Sequence, residues 1–260
     1  MSSNIDSRYS DLTMIGTGAA AHVYRALDTV SGVHVAVKQL HRQLADNGEH
    51  HIRFMVEADI LMSLDHPQVL ALLDHDLDAP QPWFVTELCE GGSIADRVVR
   101  SVVPTAELIE HVLETLDALQ YIHSRDIIHR DVKPENILVD SQGSARLCDF
   151  GIARSPLRDS RAVGDVMGTP AFCSPEQLED PHSATERSDI YAVGATLYVC
   201  QQRQSGLPLL MEDQRDSCIG RLPDGLSQVV RRATALKPGD RYPSVFDMAL
   251  DLADVLDSLY

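Results

Sequence analysis

The chain has 260 residues, 44% of them hydrophobic, with 39 Asp and Glu against 22 Lys and Arg, for a formal net charge of −17. That length is long for one core and comfortable for two lobes, and the acidity excludes a general affinity for nucleic acid, which needs clustered Lys and Arg. Nineteen of the basic residues are Arg and only Lys38, Lys133 and Lys237 are Lys, so the few ammonium groups are expected where a compact point charge is needed rather than a planar fork.

In chain order, "MSSNIDSRYS" has no apolar run that would make it a signal peptide, and residues 1–8 are expected to be flexible. Residues 9–40 read as strands. "DLTMI" leads through "GTGAAA" to "HVYRALD", and a turn at Ser31-Gly32 precedes the alternating "VHVAV". Residues 48–64 read as a helix, with Phe54, Ala58 and Leu61 on one face. "HPQVLALLDHDL" and "QPWFVTEL" read as two more strands.

The character changes near Glu90-Gly91-Gly92. Leu108, Val112, Leu116, Leu119 and Ile122 give residues 105–124 a helical period. Short strands are expected around Ile137–Val139 and Ala145–Leu147, and helices beyond Pro175 up to "MALDLADVLDSL". The longest apolar stretch, "IYAVGATLYVC", is too short to cross a membrane and reads as a buried helix. Five scattered Cys without a CxxC pair point to free thiols in a reducing compartment, and the His50-His51 pair reads as solvated rather than metal-bound.

Three stretches carry chemistry. In "HRDVKPEN", Asp131 and Asn136 stand five apart across a Pro, which places them on a loop, and Asp149 of "CDFG" follows a short strand. Two acids and an Asn form a hard-oxygen set that suits Mg²⁺, a cation that takes few protein oxygens and completes its shell with phosphate and water; Lys133 adds a cation beside Asp131. Glu57 shares a helix face with Phe54 and Leu61, so its carboxylate is buried and needs a partner; Lys38, at the end of "HVAVK", is the expected one. "GTGAAAHV" joins strand to strand. It matches neither a dinucleotide fingerprint nor a Walker loop, and taken alone a simple hairpin would explain it.

Together these motifs resemble the protein kinases of the serine/threonine type, most of all the bacterial ones related to the eukaryotic family, over residues 9–257 and in the order of that family's template. "VAVK", Glu57, "HRDVKPEN", "DFG" and "GTPAFCSPE" carry the likeness, and Lys133 two residues after Asp131 is similar to the serine/threonine pattern. The resemblance implies an α+β fold of two lobes: a β-rich lobe with one main helix over 9–89 and a mostly helical lobe over 90–260. It implies an ATP-dependent kinase of protein Ser/Thr hydroxyls, itself included, using Mg²⁺ or Mn²⁺. A nucleotide-binding scaffold or pseudokinase on the same fold, and a small-molecule phosphotransferase, are the alternatives.

The implied roles follow residue by residue. Asp131 orients or accepts the hydroxyl proton. Lys133 and Lys38, the latter paired with Glu57, stabilise phosphate charge, and Asn136 and Asp149 hold the metal. Ile15, Gly16, Thr17, Gly18, Ala19, Ala20, Ala21, His22 and Val23 cover the nucleotide. Ala36 and Leu138 join Val23 around the adenine, Glu87 and Cys89 meet it through their backbones, and Thr86 stands behind it. Asp189 braces the catalytic loop, Arg241 pairs with Glu176, and Arg130 suggests a phosphate switch with Ser160 as its site. Ala21 replaces the loop's third glycine, so Ala21→Gly is expected to tighten ATP binding. The stretch 201–226 lacks the family's usual signature. Expected partners are protein substrates and a regulatory partner or second copy, with no nucleic acid and no membrane segment, in the cytoplasm.

Overall fold

Val35 and Val37 alternate to one face, Trp83, Phe84 and Val85 are buried on both faces, and the first five strands pair into one antiparallel sheet. They are β1 (Tyr9–Thr17), β2 (Ala21–Asp28), β3 (His34–Leu40), β4 (Leu72–Asp76) and β5 (Trp83–Glu87), in the order β1-β2-β3-β5-β4. The computed structural model from which this is read describes residues 5, 7–45, 48–155 and 169–260. The turn from β2 to β3 needs Gly32, whose φ of 72° is strained for any residue with a side chain. Asp28 closes it, accepting from Val30 N and Ser31 Oγ.

The inner face of the sheet meets α1 (Glu49–Ser63), where Phe54 lies 4.9 Å from Phe84 between ring centroids. The outer face has its own apolar cluster of Tyr9, Ala26, Val35, Val37, Trp83 and Val85, capped by Ile5. The described residues ahead of β1 pack onto this sheet. Ile5 is buried, and Arg8 pairs with Asp28 at 2.7 Å and with Asp74 at 3.2 Å. The chain is therefore anchored before β1, because one guanidinium fork bridges carboxylates from two parts of the sheet.

Helices take over after β6 (Gly92–Ser93). Ser93 and Asp96 form a reciprocal capping box that starts α2 (Ile94–Arg100). The stripe Leu108, Val112, Leu116, Leu119 and Ile122 of α3 (Thr105–His123) is buried as its period requires, each such side chain contributing about 1.5–3 kcal/mol. The strands β7 (Ile137–Val139) and β8 (Ala145–Leu147) join β6 in a small antiparallel sheet that flanks the loop between α3 and β7.

Beyond it run α4 (Pro175–Glu179), α5 (Glu186–Gln202), α6 (Glu212–Ile219), α7 (Asp224–Ala233) and α8 (Val245–Asp257). In α5 nearly every residue from Ser188 to Tyr198 is buried, so this helix is the pillar of the lobe. The unusual 201–226 stretch does form a helix, α6, although only Ile219 of its "EDQRDSCI" is buried. Gly206 marks where this stretch meets the rest, since a Cβ there would lie 2.2 Å from Ala171 O.

Candidate active site

Lys38 and Glu57 come from β3 and α1, and their meeting fixes the helix against the sheet. Lys38 Nζ donates to both Glu57 oxygens, at 2.6 and 2.7 Å, and Glu57 is 5% exposed. Burial opposes the ammonium, but Glu57 and Asp149 outweigh it and hold the Lys38 pKa above the ordinary lysine value. Lys38 is thus a fixed positive charge at the back of the cleft.

The loop after α3 is held from below. Asp189 of α5, fully buried, accepts from His129 N at 2.9 Å, Arg130 N at 2.8 Å and His123 Nε2 at 2.8 Å. Burial disfavours its charge, and His123, His129 and these hydrogen bonds more than reverse that, keeping its carboxyl below the usual aspartate range. Arg130 adopts a left-handed φ of 70°. That turn brings Asp131 to the surface of the cleft, where its carboxylate accepts from Lys133 Nζ at 2.6 Å, Asn136 Nδ2 at 3.1 Å and Thr169 N at 3.1 Å. Lys133 Nζ also donates to Thr169 Oγ1 at 2.9 Å, so it spans the catalytic loop and the segment leading to α4.

Asp149 follows β8 with φ 65°, and the next residue, Phe150, is fully buried against His129 at 4.8 Å. Burial works against the Asp149 charge, but Lys38, His129 and Lys133 together hold its carboxyl below the usual range. Asn136 and Asp149 line one cavity. Asn136 spends Nδ2 on Asp131 O and Oδ2, which leaves its Oδ1 as the atom able to meet a cation. Two hard oxygens with no further ligands fit Mg²⁺ bound chiefly through phosphate and water. Among the described residues no group of three or more His, Cys, Asp and Glu forms a self-sufficient metal cage.

The cleft itself has two adjoining cavities. One, of about 630 Å³, is lined by Ile15, Gly16, Val23, Ala36, Thr86, Glu87, Cys89 and Leu138 together with Lys38, Asn136 and Asp149. The other, of about 670 Å³, is lined by Thr17, Gly18, Ala19, Ala20 and Ala21 with Lys38, Asp131, Lys133, Asp149 and Thr169. They share Val23, Lys38, Glu57 and Asp149, so an apolar slot opens directly onto the charged groups. Glu87 points its carboxylate away from the slot, to Ala71 N and Arg146.

His22 stands apart from its neighbours in the loop. It lines neither cavity, because strand alternation after Ala21 turns it to the opposite face from Val23. Sequence reasoning missed Leu70, Leu88, Asp96 and Cys148, which also line the slot. Only Leu88, between two expected hinge residues, carried a usable signal.

Around the site, Arg241 Nη1 and Nη2 donate to the two Glu176 oxygens at 2.6 and 2.7 Å, tying α4 to the loop before α8. Arg130 is buried, and its Nε and Nη2 have no hydrogen-bond partner among the described residues. Burial and the neighbouring Arg154 lower its pKa. Ser155 is buried, and Ser160 lies outside the described residues.

Residues 9–232 match the family model described as the protein kinase domain. The chain is 31% identical to the serine/threonine-protein kinase PknL of Mycobacterium tuberculosis, over 98% of this chain and 67% of that protein. It is 30% identical to the serine/threonine-protein kinase PrkC of Bacillus subtilis (98% and 41%) and 32% identical to PknB of Mycobacterium leprae (97% and 43%). It thus spans less than half the length of the latter two. No helix among the described residues is long and apolar enough to cross a membrane. With the paired lysine, the braced catalytic loop and the two-part cleft all in place, the chain belongs to the protein kinase family and is an ATP-dependent serine/threonine protein kinase of the bacterial eukaryotic-like type.

Proposed function

We propose that the chain transfers the γ-phosphoryl group of Mg-ATP to Ser and Thr hydroxyls of proteins, itself among them, with Asp131 receiving or orienting the hydroxyl proton. The observation that carries this is the triple hold on Asp131 by Lys133, Asn136 and Thr169 N, beside Asp149 and the Lys38–Glu57 pair. A cation held there would supply charge neutralisation for the phosphates. The hydroxyl oxygen forms a bond to the γ-phosphorus as the bond to the bridging oxygen of the leaving diphosphate breaks. In this reading Lys133 offsets charge on the transferring group, and Lys38 offsets charge on the phosphates behind it. Asn136 and Asp149 would hold the cation, with Mg²⁺ preferred for its reliance on phosphate and water ligands. Most of the acceleration then comes from positioning and fixed charges.

Arg130 supports a second part of the reading. A buried guanidinium with two nitrogens that find no partner among the described residues suits an anion carrying strong acceptors, and a phosphate on the segment between Asp149 and Thr169 would supply one. Ser160, between Arg158 and Arg161, is the proposed site.

Mass spectrometry of the chain incubated with Mg-ATP tests both parts. Wild type is expected to gain phosphate, Ser160 included. Asp131→Asn is expected to lose about 10²–10⁴-fold in transfer rate, the range for a positioned acid or base, while binding Mg-ATP as before. An Asp131→Asn protein that transfers at the wild-type rate would refute the assignment.

A further inference from the structure

One residue outside the loop between β1 and β2 holds two of its carbonyls. His41, just past β3, bonds Gly18 O through Nε2 at 2.9 Å and Ala20 O through its backbone N at 2.8 Å. A carbonyl only accepts, so Nε2 carries the proton and donates. The His22 ring packs edge-on against His41, 4.2 Å between centroids, and His22 Nδ1 meets Thr17 Oγ1 at 3.1 Å. Within the loop, Gly18 N donates to Ala21 O at 2.9 Å.

The sidedness of this clamp matters. Thr17 to Ala21 line the cavity that contains Lys38, Asp131 and Lys133, whereas His41 and His22 line neither cavity. A trans peptide places its C=O and N–H on opposite sides. With Gly18 O drawn to His41, the N–H of the same peptide, that of Ala19, faces away from His41. A glycine at position 18 lets this peptide rotate with little steric cost. Rotated the other way, it would turn a carbonyl lone pair toward the cavity, where anionic oxygens would be repelled.

We propose that His41 is a positioning residue for the nucleotide phosphates: it draws the Gly18 and Ala20 carbonyls off the cavity side and fixes the Ala19 N–H for a phosphate oxygen. The proposal rests on the reading that this cavity takes the phosphates of ATP. Ordering the loop before the nucleotide arrives also removes part of the entropy otherwise lost on binding.

Calorimetric titration of the chain with Mg-ATP and, separately, with adenosine tests it, using wild type, His41→Ala and His41→Gln. His41→Ala is expected to bind Mg-ATP about five-fold more weakly, what one neutral hydrogen bond supplies, and adenosine as wild type does. His41→Gln, whose amide N–H reaches the same place, is expected to restore the affinity. Unchanged Mg-ATP binding in His41→Ala would overturn the proposal. So would an equal loss for adenosine, which points to general damage, or a Gln variant as weak as the Ala one. A wild type that binds adenosine but gains nothing from the phosphates would instead reject the reading of the cavity itself, and the clamp's role with it.

Discussion

Arg241 offers the sharpest test of how the helical lobe is held. It is 2% exposed and spends all of its N–H groups: Nε on Ala235 O, Nη1 on Glu176 and Arg187 O, Nη2 on Glu176 and Leu236 O. Arg241→Met would strip Glu176 of its counter-charge, leaving Ser188 Oγ as its remaining side-chain donor, and would leave three carbonyls short of a partner. Breaking a buried ion pair from one side costs about 3–5 kcal/mol. Glu176 keeps 16% of its side chain exposed, so water softens the loss and the lower end is expected. At about 2–4 °C per kcal/mol for a chain of this size, the melting temperature should fall by roughly 6–12 °C.

Urea unfolding of Arg241→Met, Glu176→Gln and the double variant gives the coupling directly. The double variant should be far less destabilised than the sum of the singles. The acid limb adds a second readout. Burial favours the neutral Glu176 carboxyl, but Arg241 more than offsets it and keeps its pKa below the ordinary glutamate value. Its contribution is therefore full above the ordinary glutamate range and fades as the pH falls through and below it. The gap between wild type and Arg241→Met should narrow over that interval. A single-variant loss under about 1 kcal/mol, or strict additivity, would refute the reasoning, since surface pairs behave that way.

Two other substitutions probe the nucleotide side. Lys38→Arg should slow phosphoryl transfer nearly as much as Lys38→Met, on the order of 10²-fold or more, because a planar guanidinium cannot take the place of a compact ammonium on both Glu57 oxygens; near-normal single-turnover rates in Lys38→Arg would count against the pair's role. Ala21→Gly was expected from sequence to tighten ATP binding. Ala21 is instead 4% exposed within the main apolar core and is not among the residues with a positive φ. Glycine there should leave ATP affinity unchanged and lower stability by about 0.5–1 kcal/mol, which titration and urea unfolding can check together; a several-fold gain in affinity would restore the original view.

What was legible in the sequence was whatever followed from local period plus a rule about burial. Glu57 could be paired with Lys38 because the helix face with Phe54 and Leu61 forced its carboxylate inside, and a buried carboxylate needs a cation. The stretch around His22 was read as one run, although a strand begins at Ala21 and alternates from there, which turns His22 to the opposite face from Val23. His41 has no spacing that relates it to Gly18, 23 residues earlier, and only the register of β2 on β3 brings them together. Arg8 finds Asp74 across 66 positions, a partner that no local pattern announces. The hydrophilic α6 gave no periodicity to read, since only Ile219 is buried.

The buried polar groups near the cleft share a purpose that stability alone does not explain. Buried ion pairs and networks can often be replaced by apolar residues of like volume at no loss of stability. Arg130 shows what this one achieves instead. A left-handed φ in a residue with a side chain costs roughly 1–2 kcal/mol, and an unsupported loop would relax out of it. Asp189 receives the backbone N–H groups of both His129 and Arg130 on its two carboxylate oxygens, a geometry available only while Arg130 keeps that turn. His123 holds the Asp189 carboxylate in turn, and α5, buried along most of its length, cannot shift to accommodate a different loop. The strain at Arg130 is thus held by a rigid helix, and its product is the placement of Asp131 one residue later. An apolar residue at position 189 could fill the same volume, but it would leave two N–H groups unmet and release the turn that brings Asp131 to the cleft.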